Sequence, residues 1–138
     1  MNVVIDTNIV IDAIAVRKPF NENALEILHK FGKREINCAI TASTASDIYY
    51  ITRKYLKDNE KTLSLLKKLF NMFAIITVTK EDCLKAFETG IKDYEDSLLS
   101  VCAFKWQADY IITRNAPDFS NSAISAISPE EFLAGLST

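Results

Sequence analysis

The chain has 138 residues, 49% hydrophobic and 25% charged, with a formal net charge of −2. That is enough apolar material for one domain with its own core over residues 1–138, which excludes disorder, and no apolar run approaches the ~18 residues of a membrane span. The slight acidity argues against a passive nucleic-acid binder, which shows a basic face, but not against a nucleic-acid enzyme whose acids hold cations, because bound metal inverts the local potential.

Met1 leads directly into an apolar strand with no basic leader, so no signal peptide is expected. Cys38, Cys83 and Cys102 are odd in number and widely spaced. They form neither a disulfide framework nor a zinc pattern and fit buried thiols in a reducing cytoplasm. His29 is the single histidine, placed among Leu28, Lys30 and Phe31 on a predicted helix face, which leaves nucleophile–histidine devices one poor candidate base. Gly32, Gly90 and Gly135 belong to no glycine-rich phosphate loop. What remains for chemistry is carboxylates.

In chain order, Asn2-Val-Val-Ile5 reads as a strand buried on both faces, because it is apolar without alternation. A short helix follows from Asn8 to about Ala15, then a connection, Arg17-Lys-Pro-Phe20. Asn21 is the expected cap of a helix over 22–31 and Gly32 its C-terminal cap. Cys38-Ala-Ile-Thr41 is a second buried strand, followed by a helix over about 44–56, a charged break at 57–60 and another helix over 61–73. In that helix Leu66, Leu69, Phe70 and Phe73 recur at helical spacing, a stripe that serves either the core or a dimer or partner surface. Ile75-Ile-Thr-Val78 is a third strand. Thr79 caps a helix over 80–89, and Asp93 opens one that runs to about 107. Tyr110-Ile-Ile-Thr113 is a fourth strand and Ile124-Ser-Ala-Ile127 a short fifth, before a last helix introduced by Ser128-Pro-Glu-Glu131. Strands alternate with helices throughout, which predicts a parallel sheet of four to five strands between helical layers, an α/β/α sandwich.

The acids fall in a pattern against this frame. Asp6 ends the first strand, where open α/β sheets place ligand sites; its simpler reading is a helix cap. Asp47 lies on a mostly apolar helix surface, amid Ala45, Ile48, Tyr49 and Ile51; the alternative is an ordinary solvated charge. Asp93 and Asp96 are spaced as a cap and a first-turn acid, and residues three apart also share a helix face. Thr113, Asn115 and Asp118 follow the fourth strand, where they shape a turn or approach Asp6. Neighbouring strands are about 5 Å apart, so four segments can deliver oxygen ligands to one sheet edge. Two carboxylates ~4 Å apart repel by roughly 4 kcal/mol at an effective dielectric near 20, and a divalent cation removes that cost. Oxygen donors without His or Cys point to Mg²⁺ or Mn²⁺ over zinc, with open water positions suited to attack on a phosphodiester.

Taken together, Val4-Ile-Asp-Thr-Asn8, Asp93-Tyr-Glu-Asp96-Ser-Leu98, Ala108-Asp-Tyr-Ile-Ile-Thr-Arg-Asn115 with Asp118-Phe119, and the closing Ser128-Pro-Glu-Glu-Phe132 resemble a PIN domain over nearly the whole chain, of the size seen in VapC-type toxins of toxin–antitoxin pairs. The resemblance implies a metal-dependent endoribonuclease on an α/β/α sandwich, a homodimer partnered by a small antitoxin, and cleavage that leaves a 5′-phosphate and a 3′-hydroxyl. Asp6 matches the first family acid, Asp96 the helix acid and Asp93 an accompanying acid. Asp47 stands where the family usually has Glu, and Asn115 where many members have a fourth acid, with Asp118 following. Asp6, Asp96, Asp93, Asp47 and Asp118 are the expected metal ligands. Asp47 either binds metal or orients water, and Thr7, Asn8, Thr113 and Asn115 give support. Arg114, Arg17, Lys18, Arg53 and Lys54 are candidate phosphate contacts or plain solvated surface. The alternative function is a catalytically degenerate PIN domain that binds RNA or protein. Two other α/β classes fit less well. A phosphoacceptor domain needs a mid-sheet acceptor, which strand 3 lacks at Val78-Thr79-Lys80, and a haloacid-dehalogenase-like phosphatase needs an Asp where Asn8 stands.

Overall fold

A computed structural model describes residues 1–136. Five strands, β1 (Asn2–Ile5), β2 (Asn37–Thr41), β3 (Ala74–Ile76), β4 (Tyr110–Ile112) and β5 (Ala126–Ile127), form one sheet in the order β3-β2-β1-β4-β5. Every pairing is parallel. The helices are α1 (Thr7–Ile14), α2 (Asn21–Gly32), α3 (Ala45–Leu56), α4 (Asn59–Met72), α5 (Lys80–Lys85), α6 (Tyr94–Lys105) and α7 (Pro129–Leu136), with single 3₁₀ turns at 42–44, 86–88 and 116–119.

Strand alternation divides the core into two. Val3 and Ile5 of β1, Cys38 and Ile40 of β2, and Ile112 of β4 face a cluster with Ile9, Val10, Ala24, Ile27, Ile48, Leu66 and Phe132 from α1–α4 and α7. Val4, Ala39 and Ile111 face the opposite layer, with Leu98, Leu99, Cys102 and Ala103 of α6 and Phe119. The side-chain period of two thus turns three continuous apolar strands into the middle layer of a sandwich. Among the described residues no helix is long and apolar enough to cross a membrane. All three cysteines are free. Burial pushes the thiols of Cys38 and Cys102 up to about 12 and about 11, so both are inert fillers.

Several element ends differ from the sequence reading. Phe20, not Asn21, precedes the first turn of α2, and Gly32 is its last helical residue; the left-handed residue nearby is Arg34, at φ +62°. The break before α4 is shorter than expected because Asp58 caps that helix, its Oδ1 accepting from Lys61 N at 3.0 Å. β3 stops at Ile76 and β5 is two residues long. The α5 helix ends early, giving way to the 3₁₀ turn after a capping box between Thr79 and Asp82.

The α4 stripe is core. Leu66 and Phe73 are buried, Leu69 and Phe70 pack against the same cluster, and Phe73 stacks on Phe31 with centroids 5.2 Å apart. This overturns the reading of the stripe as a dimer or partner surface. Phe73→Ala is expected to cost about 3–5 kcal/mol in urea unfolding while leaving the mass in solution unchanged. A lower mass with unaltered stability would return the stripe to an interface.

Candidate metal-binding active site

The first three strands step away from β1 in one direction, and β4 returns to its other side. The carboxyl ends of β1 and β4 therefore flank a topological switch point, the crevice where open α/β sheets bind ligands. Asp6 follows β1 and Thr113 follows β4, 107 residues apart, and the Thr113 hydroxyl donates to Asp6 Oδ2 at 2.9 Å. Thr113 is fully buried and its Oγ1 also accepts from Asn115 N at 3.1 Å, so one side chain ties the β4 turn to the strand-1 acid. Asp6 occupies the cap position of α1 but makes no side-chain cap bond; the simple cap reading does not hold.

Around Asp6 opens a cleft of about 540 Å³, lined by Thr7, Asn8, Asp47, Ile51, Asp93, Glu95, Asp96, Asn115 and Asp118. Each of the four expected segments contributes. Asp93 does serve as a cap, its Oδ1 accepting from Asp96 N at 3.0 Å, and that turn brings Asp96 towards Asp6. Burial pushes the Asp96 carboxyl up to about 7, reinforced by the charges of Asp93, Asp6, Asp118 and Glu95. Asp6 is raised too, by burial above all, against the lowering hydrogen bond from Thr113 and the charge of Arg114. Glu95 is raised by burial and by Asp47, Asp6 and Asp93. These carboxylates feel one another, and among the described residues no cationic side chain lines the cleft with them.

Sequence reading passed over two acids. Glu95 was hidden between the better-spaced Asp93 and Asp96. Asp12 was discoverable by the test applied to Asp47, an acid in an apolar setting, here Ile11-Asp-Ala-Ile14. Asp12 is fully buried and holds two of the arginines expected to contact phosphate. Arg17 Nε donates to Asp12 Oδ1 at 2.8 Å, and its Nη2 reaches the backbone oxygen and Oδ1 of Asn8, both at 3.2 Å. Arg114 Nε lies 2.9 Å from Asp12 Oδ2, and its guanidinium covers the Phe20 ring at 4.0 Å. Arg17 and Arg114 are thus braces behind the cleft, not part of its lining. Lys18 is exposed in the α1–α2 connection, also away from the lining, whereas Arg53 and Lys54 are exposed on α3 beside it.

The donor set fits a hard divalent cation: oxygens only, with an excess of negative charge. The Thr7 hydroxyl, buried at the cleft without a hydrogen-bond partner, is a further oxygen available there. Among the described residues no three acidic, histidine or cysteine side chains are drawn to a single point; the carboxylates ring the cleft instead.

A parallel α/β/α sandwich whose carboxylates converge on its switch point has the outline of a hydrolytic metal site. The chain matches the PIN domain family over residues 2–116 and belongs to it. It is 26% identical over 135 residues to Ribonuclease VapC1 of Aquifex aeolicus (strain VF5), covering 94% of this chain and 92% of that protein. Its fold is that of VapBC2 from Rickettsia felis bound to a DNA fragment from their promoter (TM-score 0.67, 22% identity, 93% of this chain and 98% of that one). A toxin–antitoxin complex from Klebsiella pneumoniae is equally similar (TM-score 0.68, 22% identity, 92% and 97%).

Proposed function

We propose that residues 1–138 act as one domain, a metal-dependent endoribonuclease that is the toxin of a toxin–antitoxin pair. The observation that carries this reading is the ring of six carboxylates at the switch point, with Asp96 pushed up to about 7 by burial and then by its acidic neighbours. The relative named as a VapC ribonuclease supports the substrate, and the toxin–antitoxin complexes of like fold support a small antitoxin as partner. A homodimer in the cytoplasm is part of the same proposal.

Asp6, Asp96 and Asp93 would hold Mg²⁺ or Mn²⁺, with Asp47 and Asp118 reaching in from the rim. Bound there, the cation supplies a hydroxide-like nucleophile at neutral pH and neutralises charge developing on the phosphorane. Thr113 fixes the Asp6 carboxylate through its hydrogen bond. Arg17 fixes Asn8 at the cleft wall. Asp47, exposed at the start of α3, orients the attacking water, and in-line attack leaves a 5′-phosphate and a 3′-hydroxyl. A second reading, a degenerate module that binds without cutting, is favoured by the neutral Asn115 and by carboxylates that do not meet at one point.

Incubation of total cellular RNA with antitoxin-free protein in Mg²⁺, Mn²⁺ or EDTA separates the two. Discrete fragments that need metal are expected; intact RNA with either metal, in protein shown to be folded, supports the binding module.

A further inference from the structure

The acidic cleft does not end at its carboxylates. Ile51 of α3 lines both the cleft and an adjoining groove of about 390 Å³, whose other walls are Tyr50, Arg53, Lys54 and Lys57. The helix repeat explains the continuity. Asp47, Ile51 and Lys54 are spaced i, i+4, i+7 along one face, and Tyr50, Lys54 and Lys57 follow the same spacing beside it. At 1.5 Å per residue, Lys54 and Lys57 lie roughly 10 and 15 Å beyond Asp47.

The character of the surface reverses along that short distance. The cleft is ringed by acids, whereas Arg53, Lys54 and Lys57 have no carboxylate partner among the described residues. Arg17, Arg114 and Lys105 are by contrast paired with acids. Tyr50 is 64% exposed, and the Tyr49 ring abuts it edge-on with centroids 5.1 Å apart. An exposed aromatic ring interleaved with unpaired cations is the composition that holds single-stranded nucleic acid, bases stacking on the ring and phosphates on the charges.

We propose that this α3 groove is a single-strand track, seating the RNA that flanks the bond cut in the cleft, with a base stacked on Tyr50 and the backbone held by Arg53, Lys54 and Lys57. The inference rests on the ribonuclease reading for its choice of occupant and adds to it the place where the strand lies. Two features favour RNA over a protein partner here. The groove is continuous with the cleft that receives the scissile phosphate, and its charge is complementary to a phosphate chain. The track also accounts for how an acidic site retains an anionic substrate: the cations that attract it stand beside the metal carboxylates instead of among them, where they would neutralise the ligands.

Fluorescence anisotropy of a short, unstructured, labelled oligoribonucleotide in Mg²⁺ tests the track, with Asp6→Asn as the background to prevent cutting. Joint reversal of Arg53→Glu and Lys54→Glu is expected to weaken binding about tenfold or more and to make its salt slope shallower by about 1.4. Tyr50→Ala is expected to weaken it roughly fivefold to a hundredfold, with Tyr50→Phe restoring it. Joint reversal of Lys67→Glu and Lys68→Glu on α4 makes the same charge change elsewhere and is expected to leave binding within about twofold. Unchanged affinity in the Tyr50→Ala and Arg53/Lys54 variants overturns the proposal, as does an equal loss in the α4 control. RNA binding retained while a co-purifying protein is lost also overturns it, by making the groove a protein-docking face. Separate cleavage assays keep the two readings apart. Wild-type protein that binds RNA through Tyr50 but never cuts removes the nuclease and leaves the track. Cutting with the same KM in every variant removes the track and leaves the nuclease.

Discussion

Asp96→Asn is expected to abolish metal-dependent RNA cleavage, by about a hundredfold or more, and at the same time to melt higher than wild type in the absence of metal. Both effects have one origin. Burial and the surrounding Asp93, Asp6, Asp118 and Glu95 push the Asp96 carboxyl up to about 7, against about 3.9 for an unfolded aspartate. Between those values the folded chain binds more protons than the unfolded one, so this contribution to stability is fully present below about pH 4 and is lost as the pH rises through about 7. The metal-free protein should therefore become more stable when acidified from pH 8 towards pH 5, and Asp96→Asn should flatten that slope. With solvent screening in the open cleft, the gain at pH 8 is about 1–2 kcal/mol, or several degrees in Tm. Saturating Mn²⁺ should reverse the order by stabilising the wild type through its binding and leaving Asp96→Asn where it was. Since the metal competes with a proton, its affinity should fall below about pH 7. Calorimetry at several pH values, with and without Mn²⁺, measures all of this. A metal-free Asp96→Asn protein that melts lower, with an unchanged pH slope, would mean that Asp96 is not held under repulsion.

Asp12→Ala is expected to be among the most damaging single substitutions outside the strands. Its carboxylate is fully buried and answers both Arg17 and Arg114. Removing it strands two guanidinium groups that are largely inside the protein, a change that costs about 3–5 kcal/mol out of a typical 5–15. Denaturant titration by circular dichroism should show the midpoint falling accordingly, and a loss below about 1 kcal/mol would show that the arginines find other partners. A triple replacement, Asp12→Leu with Arg17→Met and Arg114→Met, separates stability from function. Matching volumes without stranded charge should recover most of the stability. Asn8 loses its two bonds from Arg17 and Asp6 its neighbouring charge, so cleavage should stay impaired.

The fold was legible because its three central strands are continuous apolar runs separated by helix-length segments, a pattern few architectures satisfy. What was harder to read were the places where local chemistry competes. Gly32 looked like a helix stop, yet the left-handed turn falls on Arg34, since the 33–35 loop is set by its backbone bonds to α2. The α4 stripe was ambiguous because helical periodicity identifies an apolar face without saying what covers it; only the stacking of Phe73 on Phe31 decides. In the site, Asp6, Asp93 and Asp96 were readable from their positions at element ends. Arg17 and Arg114 were misleading because a cation near a phosphate-handling site invites a phosphate contact. Their true partner, Asp12, lies on a helix interior where acids are seldom sought, and the pairing of Arg114 with Asp12 spans 102 residues.

That β1 is the central strand has a consequence for biogenesis. This strand needs a neighbour on each side, and the second of them, β4, ends at residue 112. Asp6 meets Thr113 only when more than a hundred residues have been made, which at 5–20 residues per second is several seconds of elongation. A nascent or prematurely terminated chain carries the acids of β1, α3 and α6 without the crevice that assembles them. The crevice is thereby completed only after β4 has been made.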